Sequence, residues 1–138
     1  MASPITPVED GFYTLLAASS ALTTALGGTS IYIRDVPTTA APPFVIIETI
    51  RSGDMNICPH RLRDTLLAVQ AVSVIGAAQA GSLDGLCDAV LHSGTPTITG
   101  WTVLHCRRQQ DISYRELSQD GREYFRAGGE YSVRITKT

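Results

Sequence analysis

The chain has 138 residues, a formal net charge of −2 and a hydrophobic share of 43%. That composition belongs to a folded globular chain and excludes a disordered one. The near-neutral balance gives no bulk attraction to nucleic acid or to an anionic membrane. Ten arginines stand against a single lysine, Lys137. Arginine suits planar, multi-donor contacts, including those at subunit interfaces, although codon bias in a GC-rich genome gives the same excess.

The length reads as one domain over 1–138, with residues 1–6 as a flexible N-terminal arm. The start MASPITPVEDG has neither the basic opening nor the apolar core of a signal peptide. No apolar run reaches the ~18 residues that span a bilayer. Cys58, Cys87 and Cys106 are an odd number without tight spacing, which fits a reducing compartment better than a disulfide framework.

Thr6-Pro7-Val8-Glu9 predicts a helix start, with Thr6 as cap, Pro7 in the first turn and Glu9 closing a capping box. Val8, Phe12, Leu15, Leu16, Ser19, Leu22 and Leu26 then share one face. Gly27-Gly28 supply a left-handed stop. Ile31 to Arg34 is a short strand. The proline-rich stretch Asp35 to Pro43 is a turn or extended connection. Phe44 to Ile50 is a strand, apolar enough at its start to sit centrally. Arg51 to Arg63 is polar, broken by Gly53 and Pro59, and reads as a long loop of functional or interfacial kind.

The apolar run from Leu66, ended by Gly76, predicts a strand covered on both faces. The period then changes. Leu83, Leu86, Cys87, Val90 and Leu91 recur at helical spacing and predict an amphipathic helix. Thr97 to Arg107 reads as a strand kinked at Gly100, and Gln109 to Asp120 as irregular. Arg122 to Thr136 closes the chain with an alternating, half-buried strand. Within it Gly128-Gly129 is either a two-residue hairpin turn or a bulge. The fold class is α+β, an antiparallel or mixed β-sheet with two helices packed on one face.

Chemistry-bearing constellations are sparse. Cys58-Pro59-His60 and His105-Cys106 lack the paired short spacing of a zinc site. In a strand, His105 and Cys106 point to opposite faces. Cys87 and Cys106 read as small core residues, and Cys58 with His60 as a reactive pair only if a basic partner depressed the pKa of the loop thiol. Asp84 and Asp88, four apart on the helix flank, are either a carboxylate pair that binds a cation or, more often for such a pair, solvated surface. No phosphate-binding glycine loop, dinucleotide fingerprint or nucleophile elbow occurs. No catalytic residue, cofactor or metal site is assigned. One helix face is unusual: Ala78, Gly81, Ser82, Gly85 and Ala89 oppose the leucines. Glycine inside a helix costs about 0.5–1 kcal/mol relative to alanine. A small-residue back lets another chain approach closely.

Four segments carry a family resemblance. They are TLLAASSALTTALGG, then IYIRDVPTTAAPPFVIIETI with its Val36-Pro37 and Pro43-Phe44, then LAVQAVSVIGAAQAGSLDGLCDAVLHSG, and finally GREYFRAGGEYSVRIT. Together, in order, they cover most of residues 12–136. The chain resembles the tail-completion or tail-terminator proteins of long-tailed bacteriophages and of gene transfer agents. Gly128-Gly129 departs from that pattern as an extra interruption of the last strand. The resemblance implies a virion protein, not an enzyme, assembled in the host cytoplasm. It implies a ring of this chain, commonly six copies, at the head-proximal end of the tail tube. Implied partners are the tail tube protein and the head-side connector. DNA would pass through the lumen without specific binding, and no membrane is involved. A head-completion or neck adaptor is the alternative within the virion, and a small Cys/His enzyme the alternative outside it. Protomer contacts are expected at Arg51, Arg61, Arg63, Gly81 and Gly85.

Overall fold

The computed structural model describes residues 4–55, 62–119 and 121–137. Three helices, α1 (Ile5–Ala17), α2 (Ser20–Leu26) and α3 (Ala77–Leu91), accompany five strands. The strands are β1 (Ile31–Ile33), β2 (Phe44–Asp54), β3 (Leu62–Ser73), β4 (Trp101–Leu117) and β5 (Glu123–Lys137). They form one mixed sheet in the order β1-β2-β3-β5-β4. Only β1 and β2 run parallel; the other neighbours are antiparallel.

The expected α+β class and one-faced helix layer are present, with three helices in place of two. The apolar stripe from Val8 to Leu26 is real, but the helix carrying it breaks at Ala18-Ser19. Ser19 Oγ accepts the Leu22 N–H and restarts the chain as α2, as a serine cap does. A side chain that competes for backbone donors favours such a break over a helix interior. Gly27, at φ 78°, closes α2. Its N–H reaches Thr24 O and the Gly28 N–H reaches Thr23 O, which is the Schellman pattern.

Thr6 is not a cap. The helix begins at Ile5 with Pro4 ahead of it, and no side chain caps it. Glu9 turns inward instead of closing a box. Its carboxylate accepts from Arg34 Nε and Thr49 Oγ1, both at 2.9 Å, and ties α1 to β2 and the end of β1. Glu9 is buried, so these partners offset the cost of burying its charge.

The core lies between the helices and one face of the sheet. Val8, Phe12 and Leu16 of α1, and Leu83, Cys87 and Leu91 of α3, meet Val45, Ile47, Leu67, Val69, Tyr131, Val133 and Ile135. β3 is buried on its other face too, at Ala68 and Val72. There the chain between β1 and β2 and the Arg126 side chain flank a groove of ≈ 250 Å³, lined among others by Val36, Pro42, Phe44, Ile46 and Val72. Hence β3 reads as an unbroken apolar run.

Two polar stretches are strand where loop was expected. β2 continues to Asp54 and β3 starts at Leu62, paired Asp54↔Arg63. Of the loop expected over Arg51 to Arg63, residues 51–54 and 62–63 are strand, and 56–61 lie outside the described residues. β4 runs through Gln109 to Leu117 as the outer half of a long hairpin with β5. Both faces of that half are largely in solvent, so its residues carry no apolar period to reveal it. Gly100, at φ 83°, turns the chain ahead of Trp101 instead of kinking a strand.

Gly128-Gly129 is neither turn nor bulge. Both sit in unbroken register against β3, at Gln70↔Gly128 and Val69↔Gly129. The nearby bulge lies on the partner strand, where β4 skips Gln109.

Replacing Ser19 with Ala should remove the α2 cap and cost about 1 kcal/mol, read as a lower denaturation midpoint at unchanged m-value.

Candidate interaction surfaces

The most organised polar cluster joins α3 to the β4–β5 hairpin. The skip at Gln109 keeps Arg108 on the helix face, opposite Tyr131. A bulge re-aims a side chain in this way. A Cβ on Gly129 would lie 2.6 Å from the Arg108 guanidinium, and one on Gly128 would lie 2.1 Å from Val69 O. The glycine pair therefore serves close approach: one clears a lane for Arg108, the other lets β3 and β5 lie together.

Arg108 fills that lane. Its Nη1 and Nη2 donate to Asp84 Oδ1 and Oδ2, both at 2.9 Å. Nε donates to Asp111 at 2.8 Å, Nη2 to Gly128 O at 2.7 Å and Nη1 to Tyr131 Oη at 3.2 Å. All five guanidinium donors are thus engaged. Tyr131 Oη donates onward to Asp88 at 3.0 Å. The two-pronged Asp84 contact is the strong form of this pair. Arg108 is held charged above its ordinary pKa, chiefly by the hydrogen bond to Asp84. The Tyr131 hydroxyl is pushed above the usual phenol range, first by burial and also by its bond to Asp88. So the cation that Asp84 and Asp88 hold is Arg108. The cluster is a clamp, with no nucleophile or poised acid in it.

The five expected contact residues do not converge. Arg51 is exposed on β2, and Arg63 is half-buried at the start of β3. Arg63 Nη2 reaches Ser52 Oγ at 3.4 Å, and its buried Nε has no partner. Gly81 and Gly85 lie on the exposed back of α3, where an added Cβ would meet open space. Arg61, Cys58 and His60 lie outside the described residues. Cys87 and Cys106 are buried and free. Burial pushes both thiols up to about 12, and Asp84 adds to the effect at Cys87. His105 and Cys106 do face opposite sides, opposite Arg134 and Val133.

Arg108 itself carried no signal in the sequence. The nearest clues were two carboxylates four apart on a helix and a glycine pair inside an alternating strand. Among the described residues no three metal-ligating side chains cluster, and no helix is long and apolar enough to cross a membrane.

Residues 11–135 match the family described as Tail completion protein gp17. No curated protein sequence matches. Among solved structures, a chain from the virion of a native gene transfer agent (GTA) particle superposes with TM-score 0.81. It shares 12% identity, covering 99% of each chain. A second solved chain superposes with TM-score 0.62 at 15% identity, covering 97% of this chain and 96% of that one.

Two outcomes follow from the clamp and the thiols. Arg108→Met should cost about 1–2 kcal/mol by leaving the half-buried Asp84 without its two-pronged partner, and Gly129→Ala should lose a similar amount by evicting the guanidinium. Chemical denaturation checks both. The thiols, with folded pKa values above the unfolded 9.0, contribute stability that is whole below pH 9 and lost as pH rises toward 12. At pH 8 a thiol reagent should label Cys87 and Cys106 only at the rate of unfolding.

Proposed function

The chain belongs to the tail completion protein gp17 family, a structural component of the phage-type tail, and on that premise we propose that it forms a closed ring at the head-proximal end of the tail tube. The ring has six copies. It ends tube polymerisation and presents a surface to the head-side connector. It works by contact, not by catalysis.

The observation that carries this reading is the agreement of family and fold over nearly the whole chain. The related fold occurs in a gene transfer agent virion. The surfaces support it. The best-formed polar cluster consumes its own charges in holding the fold together. The exposed features are instead a small-residue helix back, an arginine-bearing hairpin end and a projecting β4–β5 arm. A cyclic ring needs two different patches on each copy, one meeting the other on the next. The back of α3 at Gly81 and Gly85 is one patch. The β2–β3 end, with Arg51 and Arg63, is the other. The lumen passes DNA without gripping it, consistent with the near-balanced charge.

Gly85→Gln tests the helix back. The site is open, and glutamine favours helix over glycine by about 0.5–1 kcal/mol. The variant should match or exceed the parent in thermal stability while its assembly falls at least tenfold in light scattering. Unimpaired assembly would overturn that patch, and a twelve-fold mass for the parent would point to a neck adaptor instead.

A further inference from the structure

The two edges of the sheet are each closed over one half and open over the other. On one edge, β1 pairs with β2 only at Val45 to Ile47. From Glu48 to Gly53, β2 has no strand on that side among the described residues. On the other edge, the inner half of β4 is guarded. It skips a residue at Leu104 and again at Gln109. Its backbone is also tied up, with the Ser93 N–H on Cys106 O at 2.9 Å and the Arg108 N–H on His92 Nδ1 at 3.2 Å. From Gln110 to Leu117, β4 is regular and carries no neighbour on its outer side among the described residues. Chains normally blunt such edges with bulges, charges or cover. Here the cover stops halfway on both.

We propose that these two open half-edges pair with each other between adjacent copies, β4 of one copy adding antiparallel to β2 of the next. This inference rests on the ring reading and gives it a joint. Three features of the single chain support it. First, direction agrees. β2 and β4 run oppositely within the sheet, so copies placed side by side in the same sense bring them together antiparallel.

Second, stagger agrees with closure. Arg51 stands level with Ser132, and Tyr114 level with Arg126, six residues further along. Setting Tyr114 against Arg51 of the next copy shifts that copy about 20 Å along the strands, at ~3.4 Å per residue. Four strand spacings of ~4.8 Å separate equivalent positions, about 19 Å. The strands then tilt by about 45° to the ring axis, at the upper end of the range of closed barrels. The pairing ends at Glu116 against Glu48, because β1 already holds Ile47.

Third, the side chains are compatible. In this register the β2 bulge at Ile50 is skipped, as it is against β3. Arg51 stands opposite Tyr114, whose ring already carries the Arg126 guanidinium at 5.8 Å and keeps exposed surface for apolar contact with the Arg51 stem, with Glu116 its diagonal neighbour. Glu116 meets Glu48, but Arg126 Nε already holds it at 2.9 Å. Ser113 meets Ser52, and Ile112 meets the open space over Gly53.

Two measurements test the joint. Hydrogen exchange on the unmodified chain, free and in the assembled ring, should show at least tenfold slower exchange within 48–53 and 112–116 on assembly. Oxidation of assembled Arg51→Cys/Tyr114→Cys, in a Cys58→Ser background, should give a ladder of covalent multimers that neither single variant gives. Ile112→Cys and Glu116→Cys, each paired with Arg51→Cys, cover a two-residue slip. Intact rings whose half-edges exchange as fast as in the free chain, with no ladder from any of the three pairs, overturn the edge joint and leave the ring reading standing. An unmodified chain that forms no ring and caps no tube overturns the ring reading itself.

Discussion

A single guanidinium fastens α3 to the β4–β5 hairpin. Arg108 comes from an edge strand, crosses the sheet over Gly129 and binds Asp84 of α3 with both terminal nitrogens. An arginine drawn partly out of solvent is well held when its donors are all answered, and here two carboxylates, a phenol and a backbone carbonyl answer them. The glycine pair is the geometric condition for that crossing. Because α3 and the β4–β5 hairpin are fastened at this point, the hairpin leaves the core in a fixed direction. The helix back and the free strand edges therefore hold a constant relation to each other, which repeating contacts around a ring require.

Periodicity revealed the elements that bury one face. The α3 stripe, the β3 run, the short β1 and the glycine stop at Gly27 all follow from local pattern. The features that escaped are those whose cause lies elsewhere in the chain. Residues 109–117 form a strand because β5 supplies partners, yet both their faces are largely solvated and no alternation marks them. The break at Ser19 is masked because Leu22 and Leu26 continue the stripe of Val8 and Leu16. Gly128 and Gly129 looked like punctuation because their neighbours are a backbone carbonyl of β3 and a side chain of β4, neither visible locally. Asp84 and Asp88 were legible as a pair, while their cation was not. The half-edges belong to the same class: an open strand edge is a statement about which neighbours are missing.

The thiols at Cys87 and Cys106 are small core residues with raised pKa values, the opposite of an activated nucleophile. The perturbed tyrosine donates to a carboxylate and receives from an arginine, so its proton is held. What the chain exposes in an ordered way is backbone edge and small-residue helix surface, the materials of repeated protein contact. Membership of the tail completion family gives those surfaces a setting, the phage-type tail.

The central claim is that this chain ends the tube. The most direct measurement is tail-tube length by electron microscopy, with tubes polymerised in the presence of increasing amounts of the purified chain. The account predicts tubes that shorten with dose and carry one extra ring of density at a single end. Tubes of unchanged length, or the chain bound along their walls, would contradict it.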